Sequence, residues 1–184
     1  MNLLEAQLDY PFGEALPESG HCMTVAPGVK WLRMPLPFAL NHINLWLVAD
    51  TLHGVRGWAI VDTGIAAEPT QTAWLRVLEH ELGGKPITRV IVTHMHPDHV
   101  GNAHWLCEKL NVPLYMSMTD YCLARTLLAT PSGAGGPAAA AHFAAHGLNK
   151  PEDIDKVIKR AGHYGGMVTD MPKQIGRASC RERV

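Results

Sequence analysis

The residues best equipped for chemistry sit in one stretch, Thr93-His94-Met95-His96-Pro97-Asp98-His99-Val100-Gly101-Asn102. Three imidazoles and a carboxylate fall within six residues, directly after the apolar run Val90-Ile91-Val92. Imidazole nitrogen suits Zn²⁺, and a carboxylate adds a hard oxygen donor. One residue separates His94 from His96, so an extended or looping backbone points both to the same side, where they can share a metal. Asp98 and His99 follow the bend at Pro97 and can address a second metal close by. A water held between two such metals loses its proton near neutral pH and becomes a nucleophile. Asp98 can both ligate that water and orient it. Gly101, at the start of the next helix, lets backbone come close to the site. A lone histidine in a loop is more often a surface or capping residue. Four ligand-type side chains at the end of a buried strand argue for a metal site.

The elements that must position this stretch are readable on both sides of it. Arg89–Val92 is the strand that feeds it. Ile43–Ala49 and Trp58–Val61 are two further strands, the second ending at Asp62-Thr63-Gly64, with a turn at Gly54–Gly57 between them. Glu68–Leu82 carries Trp74, Leu75, Leu78 and Leu82 at helical spacing and is closed by Gly83-Gly84. Beyond the motif the pattern predicts a helix over Val100–Leu110, a strand over Val112–Met116 and a helix over Thr119–Leu128, capped by Ser117 or Thr119. Upstream, residues 1–20 read as an irregular lead-in, and Cys22–Val25 with Val29–Pro35 as a hairpin around Pro27-Gly28. Downstream, residues 130–141 are a flexible stretch leading into a weak helix. Pro151–Ala161 is a helix with Asn149 as its cap, acids first and bases last. Strands followed by alternating helices and strands give an α/β layered domain, with helices against a mixed sheet.

Composition narrows the partners. The formal charge is −1 and the isoelectric point about 6.8, which leaves no electrostatic footprint for nucleic acid or an anionic membrane. No apolar run approaches the length that spans a bilayer. The N-terminus has neither the basic start nor the apolar block of a signal peptide. Cys22, Cys107, Cys122 and Cys180 show no paired spacing and read as free thiols in a cytoplasmic protein. No phosphate loop or dinucleotide fingerprint is present. A small-molecule substrate is the expected partner. Trp46, Trp58, Trp74 and Trp105 read as core aromatics, and His42 and His104 as structural histidines.

Thr93-His94-Met95-His96-Pro97-Asp98-His99 resembles the Thr-His-x-His-x-Asp-His signature of the metallo-β-lactamase-fold hydrolases. Ile60-Val61-Asp62-Thr63-Gly64 is similar to that family's strand-end Asp-x-Gly element, and the resemblance covers most of residues 23–128. It implies a four-layer αββα sandwich with a pair of zinc ions at one edge. His94 and His96 would take the first-metal role and Asp98 and His99 the second, with Asp98 the catalytic carboxylate. Asp62 would stand behind the ligands and hold the metal loop; the alternative is a plain turn acid before Thr63-Gly64. Histidine rather than glutamate at position 96 separates the chain from the oxygen-reducing di-iron branch. Histidine at position 99 resembles glyoxalase II, lactonases, RNA-processing nucleases and related thioesterases, and the bacterial "glyoxylase-like" hydrolases share it. The implied activity is zinc-dependent hydrolysis, with metal-bound hydroxide attacking a thioester or lactone carbonyl. Two alternatives stand beside it: a phosphodiesterase or nuclease of the same fold, and a non-catalytic fragment that keeps a relic half-site.

The family's remaining ligands, a third histidine, a bridging acid and a last histidine, find no counterpart here. His142, His146 and His163 do not follow a strand. Residues 1–174 are therefore expected to be the N-terminal half of the sandwich, truncated, with 130–163 as a helical insert. Ile175–Val184 reads as one translated frame of a common sequencing adapter, so native sequence is expected to end near Lys173 or Gln174. Such a half would expose apolar sheet and bind zinc weakly.

Overall fold

The computed structural model describes residues 4, 7–130, 135–173 and 175. Six strands form one mixed sheet whose spatial order is their chain order. β1 (Met23–Ala26), β2 (Val29–Pro35), β3 (His42–Leu52) and β4 (Val55–Val61) make an antiparallel meander. β5 (Ile87–Ile91) and β6 (Leu114–Tyr115) then add in parallel. Parallel neighbours need crossovers. The first is α1 (Glu68–His80), and the second is the pair α2 (Pro97–Val100) and α3 (Ala103–Leu110). α4 (Met118–Ala129) follows β6, and α5 (Gly136–Ala145) with α6 (Pro151–Lys159) forms a helical hairpin.

Several local differences from the sequence reading have physical causes. The β3–β4 turn is confined to His53-Gly54, both at positive φ (50° and 82°), so Gly57 lies inside a strand. Its missing side chain has a reason: a Cβ there would sit 2.2 Å from the Pro86 carbonyl oxygen, which accepts from the Trp58 N–H. The helix expected over Val100–Leu110 is two helices, broken at Gly101-Asn102. The α6 cap position is Lys150, not Asn149. Pro151 opens that helix and holds the preceding residue extended.

The core sits on one face of the sheet. Leu32, Met34, Leu45, Leu47, Ile60, Val90 and Leu114 alternate onto it and are fully or almost fully buried. Trp74 and Val77 of α1 and Ala103 and Leu106 of α3 cover them. The opposite face carries Trp31, Trp46, Val48, Val61, Ile91 and Tyr115, all half-buried and outside that cluster. Trp46 therefore leaves the core assigned to it and stacks on Trp31, ring centroids 6.5 Å apart.

On the same outer face Arg89 lies over the Tyr115 ring and pairs with Asp50 through two hydrogen bonds, 2.9 and 2.5 Å. The Arg89 hydrogen bonds hold the Asp50 carboxyl below its ordinary value of 3.8. A depressed folded value means the stabilisation is present above the unfolded value and is lost as pH falls through the folded one. Asp50→Asn is thus expected to lower the denaturant midpoint at neutral pH and to flatten the acid limb of stability. Urea titrations across the acid range read both effects.

Ile175 forms a parallel bridge to Leu114 and packs against the core. The rest of the segment read as adapter sequence, 176–184, and part of the stretch read as flexible, 131–134, lie outside the described residues. Cys22, Cys107 and Cys122 are free thiols. Among the described residues, no helix is long and apolar enough to cross a membrane.

Candidate metal centre

The site forms at the carboxyl ends of the parallel strands. β4 ends at Asp62, which adopts φ 62° and is 5% exposed. This left-handed turn aims the carboxylate across to the loop after β5. One Asp62 oxygen accepts from the Thr93 backbone N–H at 2.8 Å, and both accept from the Thr93 hydroxyl, at 3.0 and 2.8 Å. The second oxygen also meets His99 Nδ1 at 2.9 Å. One buried carboxylate thus ties the start of the motif to its end.

A second set of bonds fixes α2 from behind. The Thr63 N–H and hydroxyl both donate to the His99 carbonyl, each at 2.7 Å. Asn102 is fully buried, and its side-chain amide donates to the carbonyls of Thr63, Gly64 and Ile65. Its oxygen accepts from Gln71 at 3.1 Å. The Trp74 indole donates to the same Thr63 carbonyl at 2.8 Å. These contacts satisfy a loop that regular structure leaves with unpaired polar groups. They also explain the helix break, because Asn102 must turn its amide into the 63–65 bend.

The imidazoles crowd together. His94 lies between the other two rings, with centroids 4.7 Å from His96 and 4.0 Å from His99. His94 Nε2 and His96 Nδ1 are 3.0 Å apart. Asp98 Oδ2 stands 3.4 Å from His99 Nε2. Burial pushes the His94 imidazole down, and the neighbouring His99 and His96 push it the same way, so the neutral, ligating form is favoured. Burial also pulls His99 down, but the hydrogen bond and charge of Asp62, with Asp98 behind it, outweigh that and hold it above the ordinary histidine range.

No group of three His, Cys, Asp or Glu side chains among the described residues is arranged to hold a metal ion as it stands. The donor set nonetheless fits one. Two imidazole nitrogens on a tetrahedral zinc lie roughly 3.3 Å apart, close to the His94–His96 spacing. A histidine whose Nδ1 is held by a buried carboxylate presents Nε2 outward, the arrangement that orients metal-ligating imidazoles. The four side chains singled out from the sequence are brought together with Asp62. Three histidines weighed from the sequence lie apart from this cluster: His42 bonds to Asn41, His146 bonds to the His142 carbonyl, and His104, half-buried within α3, has an unpartnered Nδ1. Sequence reasoning does not find Thr63 and Asn102 as stitching residues. It also misses Asp120, whose only signal is the Ser117-x-x-Asp120 spacing of a helix start, and Tyr164, which carries none.

The metallo-beta-lactamase superfamily description matches residues 40–170. A beta-lactamase domain protein from Burkholderia ambifaria is 45% identical, with a TM-score of 0.82, over 96% of this chain and 49% of its own. A metallo-beta-lactamase family protein from Thermus thermophilus, 20% identical with a TM-score of 0.58, shares the fold over 84% of this chain and 47% of its own. The chain thus spans about half the length of these solved structures. Comparison with curated proteins returns no match. Members of the matching superfamily are generally metal-dependent hydrolases. The superfamily description spans well over half of the chain, which therefore belongs to the metallo-beta-lactamase superfamily.

Proposed function

We propose that the protein to which this sequence belongs is a zinc-dependent hydrolase acting on a thioester or lactone carbonyl. The observation that carries the reading is the cluster of His94, His96 and His99 with Asp98 beside it, its two closest imidazole nitrogens 3.0 Å apart. His94 and His96 would hold one ion, and Asp98 and His99 would contribute to a second. When bound, zinc lowers the pKa of a coordinated water and polarises the carbonyl. We assign to Asp98 the orientation of the attacking water and the holding of its proton. Its side chain is 30% exposed, so solvent and substrate reach it. Asp62 keeps His99 in one tautomer, Nδ1–H toward the carboxylate. The near-neutral charge, −1, favours a small neutral or anionic substrate over a polyphosphate backbone.

Metal analysis and a panel of thioesters, lactones, β-lactams and phosphodiesters test this on the whole protein. The expected result is thioester or lactone hydrolysis that chelation abolishes and zinc restores, with His96→Ala lowering kcat/KM by at least about 10²-fold. Full activity after chelation, or preference for a phosphodiester, overturns it. For the 184-residue chain alone, a second reading is favoured by its span of about half the length of the solved relatives: a half-site that takes up zinc weakly and does not turn over.

A further inference from the structure

Met95, between the two paired histidines, has backbone groups that no helix or strand satisfies. Its N–H donates to Asp120 Oδ1 at 3.2 Å. Its carbonyl accepts from the Tyr164 hydroxyl at 2.6 Å. We propose that Asp120 and Tyr164 are positioning residues that lock the two peptide planes flanking Met95 and so set the relative direction of the His94 and His96 side chains. The proposal rests on the metal reading above and deepens it.

The geometry supports a role aimed at the loop. One plane, between His94 and Met95, carries the N–H that Asp120 holds. The next, between Met95 and His96, carries the carbonyl that Tyr164 holds. Fixing both planes leaves the Cα–Cβ directions of His94 and His96 little freedom. The Met95 side chain packs against the core and anchors the segment from a third direction. Asp120 sits three residues after Ser117, the α4 cap, whose hydroxyl accepts from the Asp120 N–H at 3.0 Å. In a capping box the acid at that position reaches back to its own helix start. Here the Ser117 hydroxyl donates to one oxygen and the other turns to Met95.

Tyr164 lies in the segment that follows α6. Its segment is also tied to the neighbouring elements: the Thr169 N–H and hydroxyl donate to the carbonyl of Gly101, at the end of α2, at 3.0 and 3.1 Å, and the N–H of Ala66, in the turn after β4, donates to the Met167 carbonyl. Burial, and then the charge of Asp120, push the Tyr164 hydroxyl up to about 12, so it stays a donor at working pH. Neither Asp120 nor Tyr164 is among the metal-ligating side chains. Their effect reaches the ion only through Met95.

Zinc affinity of the whole protein, by competition with a chromogenic chelator, and the visible spectrum of its Co²⁺-loaded form test the proposal. Asp120→Ala is expected to weaken zinc about 10- to 100-fold and to change Co²⁺ band intensity. Asp120→Asn, which keeps an acceptor for Met95 N–H, is expected to return both readouts close to wild type. Tyr164→Phe removes a single oxygen and is expected to weaken zinc severalfold with its melting temperature little changed. It carries the test if Asp120→Ala does not fold. Wild-type affinity and spectrum in Tyr164→Phe overturn the clamp while leaving the metal reading intact. A wild-type whole protein that takes up neither ion overturns the metal reading and the clamp with it.

Discussion

Replacing Asp62 by alanine is expected to cost about 3–5 kcal/mol of folding stability, the range for removing one member of a buried, hydrogen-bonded charge pair. The Asp62 side chain is 7% exposed, so solvent does little to replace what it holds. Its loss removes the acceptor of the Thr93 N–H and the partner of His99 Nδ1 together, while the Thr93 hydroxyl keeps His94 Nδ1 within 3.0 Å. Position 62 also sits at φ 62°, a left-handed conformation that aspartate and asparagine visit more readily than alanine. Asparagine tolerates that conformation and keeps one acceptor, so Asp62→Asn should be much milder. A loss in Asp62→Asn equal to that of Asp62→Ala in urea unfolding would show that shape and acceptors count for little here.

The asparagine variant also has a pH signature in the metal-free protein. Asp62 is what raises His99 against its own burial. A raised folded value contributes stability that is complete below the unfolded value of 6.5 and disappears as pH rises through the folded value. In Asp62→Asn only Asp98 is left to oppose burial, so the upward shift of His99 shrinks. The stability gap between wild type and Asp62→Asn should therefore be wider at about pH 5.5 than at about pH 8. A gap of the same size at both would mean the pair is not electrostatically coupled.

What the sequence makes legible here is local, and what it hides is long-range. His94, His96, Asp98 and His99 announce themselves because their spacing lies within one loop. Asp62 can be named from its own strand end, but its partners Thr93 and His99 lie 31 and 37 residues away. Asp120 and Tyr164 reach Met95 across 25 and 69 residues, and no periodicity connects them. The strands are readable for the same local reason, yet the face that collects the helices is not. β3 reads Ile43-Asn44-Leu45-Trp46-Leu47-Val48, apolar on both faces at its centre, so alternation alone does not say whether Leu45 and Leu47 or Trp46 and Val48 enter the core. Packing decides: α1 and α3 cover the leucines, and the tryptophan pairs with Trp31 outside. The break at Gly101-Asn102 is hidden likewise, since a helical hydrophobic pattern runs through it.

Gly101→Ala separates local preference from packing most sharply. Gly101 has helical dihedrals, φ −51° and ψ −44°. In an open helix alanine there would be favoured by about 1 kcal/mol. Here a Cβ would meet the carbonyl oxygens of Pro97, Gly64 and Met167 at 2.5, 2.6 and 2.6 Å. All three are backbone, and they belong to α2, the turn after β4 and the segment that brings in Tyr164. None can swing aside as a side chain would, so the three segments must separate. Overpacking of this kind costs about 3 kcal/mol or more, enough to reverse the helix preference and lower the melting temperature by roughly 6–12 °C. Gly54→Ala is the control. It carries φ 82° but has nothing within 4 Å of its Cβ position, so it bears conformational strain alone. The expected order is Gly101→Ala far below Gly54→Ala in thermal stability, with the Met95 clamp and zinc affinity lost only in the former. Equal losses would mean that the close approach of these three carbonyls does not govern how the metal loop is held.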